Sequence, residues 1–354
     1  ARMPTLSSDV IDLTMQLCSI DSVSGKEGEI VDVVAKGLEE QGWHVFRQKV
    51  YNDGKGRDNV YATRGPIGDH VPRLVFNSHF DTVPPLIPLK RTDEALFGRG
   101  VNEAKGQLAA LIVAANRLVE EKPDLAKDVA LLFVVGEEID HAGMIKANDL
   151  PGYGPEFLIV GEPTEMKHAS IQKGALKVKL SVAGKAGHSG YPHAGESAIH
   201  KLIEILDDIM KYEWPKDAQH GDTTFNIGTI SGGQALNAWA EKAEAGIFFR
   251  VTTTYEDVKQ RIESIVNGRA TMDWSLGGNN PVKLTLPPYE APVGQASFNT
   301  DLPYFRGIEK LRGAFLYGAG TITKAFGPDE FVPISELREC VDNHVRLTKT
   351  LLEQ

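Results

Sequence analysis

The sequence predicts an α/β protein interrupted by a smaller α+β insert, on three observations. Residues 73–77 (RLVFN), 129–135 (VALLFVV) and 157–160 (FLIV) are short, apolar and β-rich, as strands buried on both faces of a central sheet are. Between the first two lies GQLAALIVAANRLVEE, residues 106–121, a helix apolar on most faces, which makes the pattern βαβ. After Gly174 the character changes: residues 175–182 alternate, as a strand with one buried face does.

Taken in order, Ser7 or Ser8 offers an N-cap to a first helix reaching about Leu17. Ser24 precedes a second helix, whose apolar positions Ile30, Val33, Val34 and Leu38 keep helical spacing. The three strand-like runs and their helix follow. In the insert, 196–211 is an amphipathic helix, 223–230 and 244–251 are strand-like, and 255–266 is helical again. That β-α-β-β-α order is close to a ferredoxin-like arrangement. The Gly/Asn/Pro-rich stretch 277–281 reads as the exit. Extended runs at 316–319 and 331–334 and a helix over 334–352 then rejoin the first domain. The expected division is 1–174 and 283–354 for the main domain and 175–282 for the insert.

A chain of 354 residues suits two domains, each able to bury a core. Lys and Arg number 38 against 48 Asp and Glu, a formal charge of -10, which argues against non-specific binding to a phosphate backbone and leaves acids free to hold cations. ARMPTLSSDV lacks the layout of a signal peptide, and no apolar run approaches the ~18–20 residues of a membrane span, so a cytosolic protein is expected. Cys18 and Cys340 are far apart in helical contexts and are expected to be reduced and structural.

The chemistry gathers at strand ends, where function in α/β sheets tends to lie. SHFDTV follows the strand RLVFN, and His79 and Asp81 alternate onto the same side; an imidazole held by a carboxylate is a good metal ligand. The ordinary alternative for a single histidine is a satisfied loop residue. Glu137 and Glu138 end the next strand, and adjacent carboxylates at a buried edge require a cation, a shared proton or water unless both are solvated. Glu162 ends the third. A glycine-rich turn, FGRGVNEAKG, leads into the helix at 106 and carries Glu103; it lacks the P-loop and dinucleotide fingerprints, and Glu103 would repel a phosphate.

SHFDTVPP, GRGVNEAKG, VVGEE, VGEPT, GKAGHSGYPHAG and GPDEFVPISEL together resemble the co-catalytic zinc amidohydrolases. That family includes acetylornithine deacetylase, succinyl-diaminopimelate desuccinylase, aminoacylase and glutamate carboxypeptidase, and the likeness to acetylornithine deacetylase is the strongest. The resemblance spans nearly the whole chain. It implies a zinc-exopeptidase-like α/β/α catalytic domain, an inserted lid or dimerisation domain, and a homodimer. It implies that His79 and Glu162 hold one zinc, residue 103 bridges, and Glu138 with a late histidine holds a second. Glu137 would be the general base and Asp81 the partner of His79. His188 would reach the other subunit's site to stabilise the oxyanion, and Asn237 and Arg250 would bind a substrate carboxylate.

Two positions depart from that pattern. The bridging residue, normally Asp, is Glu103, and the late histidine is Phe326. Phe326 cannot ligate, and its ring would remove water and polar contacts from the second site, which is expected to be lost or weakened; Phe326 is also a substrate-binding candidate, a wall of a repurposed pocket if no metal is held. The expectation is one Zn2+, Co2+ or Mn2+ per chain and hydrolysis of an N-acyl amino acid or related small molecule. Two other readings stay open: metal-independent acid/base chemistry on an amino-acid-like substrate, with Lys105 or a substrate ammonium balancing the acids, and a non-catalytic binding protein on the same fold. His141 is a further ligand candidate, against the commoner reading of an exposed loop histidine; His193 and His200 read as ordinary surface or packing residues.

Overall fold

The computed structural model describes residues 5–354. The chain forms two compact units. One runs to Ser170 and resumes at Leu284–Gly294 and Thr300–Gln354; the other comprises Ile171–Lys283 with the short return Gln295–Asn299, a return the sequence does not predict.

The first unit opens with helix α1 (Val10–Cys18), capped by Asp9, whose Oδ1 accepts the N–H groups of Ile11 and Asp12, and not by Ser7 or Ser8. Helix α2 (Gly28–Glu40) buries Ile30, Val33, Val34 and Leu38 as spaced, but has no side-chain cap. Ser24 instead donates to Asp81 Oδ2 at 2.8 Å. Strands β1 (His44–Lys49) and β2 (Asp58–Thr63) follow. The sequence gives little sign of β1, an edge strand exposed at most positions and therefore without an apolar run. Strand β3 (Leu74–His79) is buried throughout and reaches His79, two residues beyond its apolar run. Strand β4 (Ala95–Phe97) leads to the glycine-rich turn and helix α3 (Lys105–Glu121). Strand β5 (Val129–Val134), the short helix α4 (Ala142–Ala147) and strand β6 (Phe157–Val160) complete this stretch.

In the second unit, strand β7 (Gly174–Ala183), helix α5 (Ala198–Lys211), strands β8 (Thr224–Gly232) and β9 (Lys242–Val251), helix α6 (Tyr255–Val266) and strand β10 (Thr271–Asp273) form an antiparallel sheet in the order β8-β9-β7-β10. This is the ferredoxin-like topology, completed by a fourth strand that three residues, TMD, are too few to announce. Leu176, Val178, Leu180 and Val182 of β7 share a core with Leu202, Ile205 and Ile209 of α5 and Val258, Ile262 and Val266 of α6. Each such buried side chain contributes roughly 1.5–3 kcal/mol.

Strand β11 (Gly313–Leu316), three residues earlier than its sequence signal, strand β12 (Phe331–Pro333) and helix α7 (Ile334–Leu352) return to the first unit. Its sheet runs β1-β2-β5-β3-β6-β11, with β3 parallel to both β5 and β6 and β6 parallel to β11. β3 therefore lies between two strands that come later in the chain, and the carboxyl ends of β5, β3 and β6 stand side by side. Cys18 and Cys340 are buried and free, and burial pushes both thiols up to about 12. No helix among the described residues is long and apolar enough to cross a membrane.

Candidate functional site

The strand order brings His79, Asp81, Glu137, Glu138 and Glu162 to one edge, and the turn before α3 adds Glu103. Asp81 organises the group. It is fully buried, and its carboxylate accepts the backbone N–H of Glu137 and of Glu138, each at 3.1 Å, as well as the Ser24 hydroxyl. His79 Nδ1 lies 2.9 Å from the Asp81 carbonyl oxygen and 3.4 Å from its Oδ1. Asp81 thus fixes the imidazole and the Glu137–Glu138 turn together, more than the sequence assigned to it. Burial pushes its carboxyl up, but the bonds from His79, Ser24 and the Glu138 N–H prevail and hold it below the usual carboxylate value.

With Nδ1 so engaged, His79 Nε2 points at acids, 3.4 Å from Glu162 Oε1 and 3.7 Å from Glu137 Oε2. Nε2 is buried and makes no hydrogen bond; neither do Glu103 Oε2, Glu138 Oε1 or Glu162 Oε2. Unpaired buried polar atoms are costly, and three of these residues, His79, Glu103 and Glu138, belong to one cluster whose unpaired atoms call for a positive partner. His79, Glu103, Glu137 and Glu138 present ligand atoms all within 4.8 Å of one another. One imidazole nitrogen and several carboxylates fit a divalent ion such as zinc.

The electrostatics agree. Burial, reinforced by repulsion from Glu162 and Glu138, raises the Glu103 carboxyl well above its usual value. Burial also raises Glu137 strongly, His79 opposing and Asp301 adding to the rise. Glu138 is pushed up to about 8, burial first. Burial pulls His79 down, yet Glu137 and Glu162 outweigh it and push the imidazole well up. A cation would reverse these shifts by favouring carboxylate and neutral imidazole. Lys105 does not supply the charge: its ammonium donates to the Ile20 carbonyl at 2.6 Å.

Glu103 is held through its backbone. Glu330, 1 % exposed, accepts the N–H groups of Gly100, Asn102 and Glu103 on Oε1, while its Oε2 pairs with Arg99 at 2.7 Å. Arg99 also donates to the carbonyls of Pro85, Gly327 and Phe326. The Phe326 backbone is therefore tied to the turn that carries Glu103. Its side chain is 52 % exposed, and its backbone has a left-handed φ of 67°.

His141 is no exposed loop histidine either. It is half-buried, its ring stacks on Tyr304 with centroids 4.2 Å apart, and Nδ1 lies 2.9 Å from Asp301 Oδ1. Asp301 had no signal in the sequence, since NTDLP reads as an ordinary turn. In the other unit, His188 and Asn237 lie on loops joined by the Ser189 N–H to the Asn237 carbonyl and by a bridge between His188 and Ala238. Both are exposed, and Arg250 packs on the Phe248 ring at 4.1 Å. His193 sits in a short turn, Pro192–Ala194, and His200 on α5 lies edge-on to Trp239.

Comparison with known proteins finds relatives along the whole chain. A family profile described as a peptidase dimerisation domain matches residues 171–271. A peptidase M20 domain-containing protein of Schizosaccharomyces pombe is 35 % identical over 341 residues, 96 % of this chain and 84 % of that protein. A protein of Uncinocarpus reesii named as a probable carboxypeptidase is 32 % identical over 394 residues, 98 % of this chain and 88 % of its own length. Among solved structures, a tripeptidase from Staphylococcus aureus superposes with a TM-score of 0.78 at 19 % identity, covering 99 % of this chain and all of the other.

Proposed function

Because the chain belongs to the M20 peptidase family, whose members are hydrolases, we propose that it cleaves the amide bond of an N-acyl amino acid or a similarly small peptide bearing a free carboxylate, with one tightly held metal per chain. The observation that carries this reading is the set of buried His79, Glu103 and Glu137 with half-buried Glu138, whose ligand atoms lie within 4.8 Å of one another and which includes unpaired oxygens. The relatives named as probable carboxypeptidases support a substrate with a free carboxylate.

His79 and Glu103, with Glu138 or Glu162 as a further carboxylate, would hold Zn2+, Co2+ or Mn2+. When bound, such an ion polarises the scissile carbonyl and makes a nearby water more acidic. The chain's residues do the rest. Asp81 fixes His79 through Nδ1 so that Nε2 keeps its lone pair for the ion. Glu137 Oε2 accepts a proton from the attacking water and returns it to the leaving amine. Glu137 is buried enough to exclude bulk water from that transfer. His188 of the partner subunit donates to the oxyanion in a homodimer, and Asn237 and Arg250 bind the substrate carboxylate. The dimer is supported by the match to a dimerisation domain.

The test is Glu137→Gln, which keeps shape and removes the base. Turnover of N-acyl amino acids should fall about 10²–10⁴-fold while the tightly bound metal is retained. Turnover at the unmodified rate would exclude Glu137 as base and with it this mechanism.

A further inference from the structure

A second convergence of donors shares Glu137 with the first. Glu137, His141 and Asp301 present ligand atoms all within 4.8 Å of one another, from the turn after β5, the start of α4 and the segment before Leu302–Tyr304. Glu137 is 7 % and Asp301 2 % exposed, so two carboxylates sit out of water with one imidazole between three chain segments. That imidazole is fixed in advance: His141 has a left-handed φ of 56°, its ring lies flat on Tyr304, and Nδ1 is 2.9 Å from Asp301 Oδ1. A histidine so held loses little rotamer freedom on binding a ligand.

The donor set, one nitrogen and two carboxylates, is one that divalent-metal sites use, and a nitrogen–oxygen separation of 2.9 Å corresponds to an angle of about 90° at an ion ~2.0–2.2 Å from each, as in six-coordinate binding completed by water. A hydrogen-bonded pair alone would explain His141 and Asp301 but not the approach of a third buried carboxylate. Phe326, meanwhile, stands where a second ion's histidine is expected and cannot ligate.

We propose that Glu137, His141 and Asp301 form a second divalent-cation site, weaker than the first, whose occupation inhibits the enzyme. It is weaker because the ion must displace the hydrogen-bonded proton between His141 and Asp301, which leaves to solvent. It inhibits because the Glu137 oxygen gives its lone pair to the ion and can no longer accept a proton from water. The site itself stands on geometry; the inhibition rests on the role of Glu137 proposed above.

The experiment is equilibrium dialysis of chelator-stripped full-length protein against graded Co2+, followed by visible absorption, with hydrolysis measured at the same concentrations. Two ions per chain are expected, activity rising with the tighter and falling with the weaker. His141→Gln and Asp301→Asn should each keep the tight ion and lose the weak one together with the fall in activity. Saturation of the unmodified protein at one ion per chain overturns the site whatever the variants do. An unchanged second ion in both variants overturns it too, by placing that ion elsewhere, and two ions without inhibition overturn the regulatory half. Activity surviving in Glu137→Gln would remove the base assignment but leave the dialysis result standing, so the two failures are distinguishable.

Discussion

At the scale of single residues, Phe326 is the departure with the clearest physical reading. Its φ of 67° is uncommon for a bulky side chain, whereas histidine, asparagine and aspartate adopt it several-fold more readily. The turn is thus built for a smaller polar residue, and Arg99 holds its carbonyl in place. Phe326→His should fit without moving the backbone and raise the tightly held metal from about one ion per chain toward two, read by elemental mass spectrometry on protein purified without chelator. An unchanged metal content would show that position 326 does not reach the ligand cluster. The residues at strand ends were legible because a buried strand announces its own end, and the acids that follow are conspicuous. Asp301 was not legible, since its significance comes only from the packing of His141 against Tyr304.

At the scale of elements, Glu330 ties β12 to the turn between β4 and α3. One carboxylate saturates three backbone N–H groups and neutralises Arg99, itself 2 % exposed. Glu330→Gln would leave that guanidinium buried without a counter-charge, which costs about 3–5 kcal/mol. Denaturant unfolding should show that loss, and a cobalt titration should show weaker binding at the first site, because Glu103 loses its backbone anchor. Unaltered stability would mean that water replaces the pair. The motif GPDE was visible in the sequence, but not this use of its last residue. The same contrast holds for strands: β3, β5 and β6 were legible because both faces are buried, while β1 and β10 were hidden by exposure or brevity.

At the scale of the whole molecule, acid stability turns on histidines remote from the site. His344 on α7 and His168 are 0 % and 4 % exposed, and they flank Tyr317 in a ladder of rings. Burial pulls them down to about 3 and about 4, with His168 adding to the depression of His344. Both are neutral in the fold and bind a proton in the unfolded chain below about 6.5. Their contribution to stability is therefore complete above about 6.5 and is lost as pH falls toward 4 and then 3, at up to ~1.4 kcal/mol per pH unit each. His344→Gln should flatten the dependence of unfolding free energy on pH between 6.5 and 4 by about one proton. Parallel profiles for variant and parent would place the acid sensitivity elsewhere.

The pairing of β6 with β11 also has a bearing on biosynthesis. Phe157 aligns with Gly313 and Val160 with Leu316, so FLIV stays an unpaired apolar edge until the whole second unit and its return have been made. At ribosomal speeds of about 5–20 residues per second, that delay is on the order of ten seconds or more. For that time the nascent first unit displays an unpaired strand edge, the kind of surface that chaperones shield.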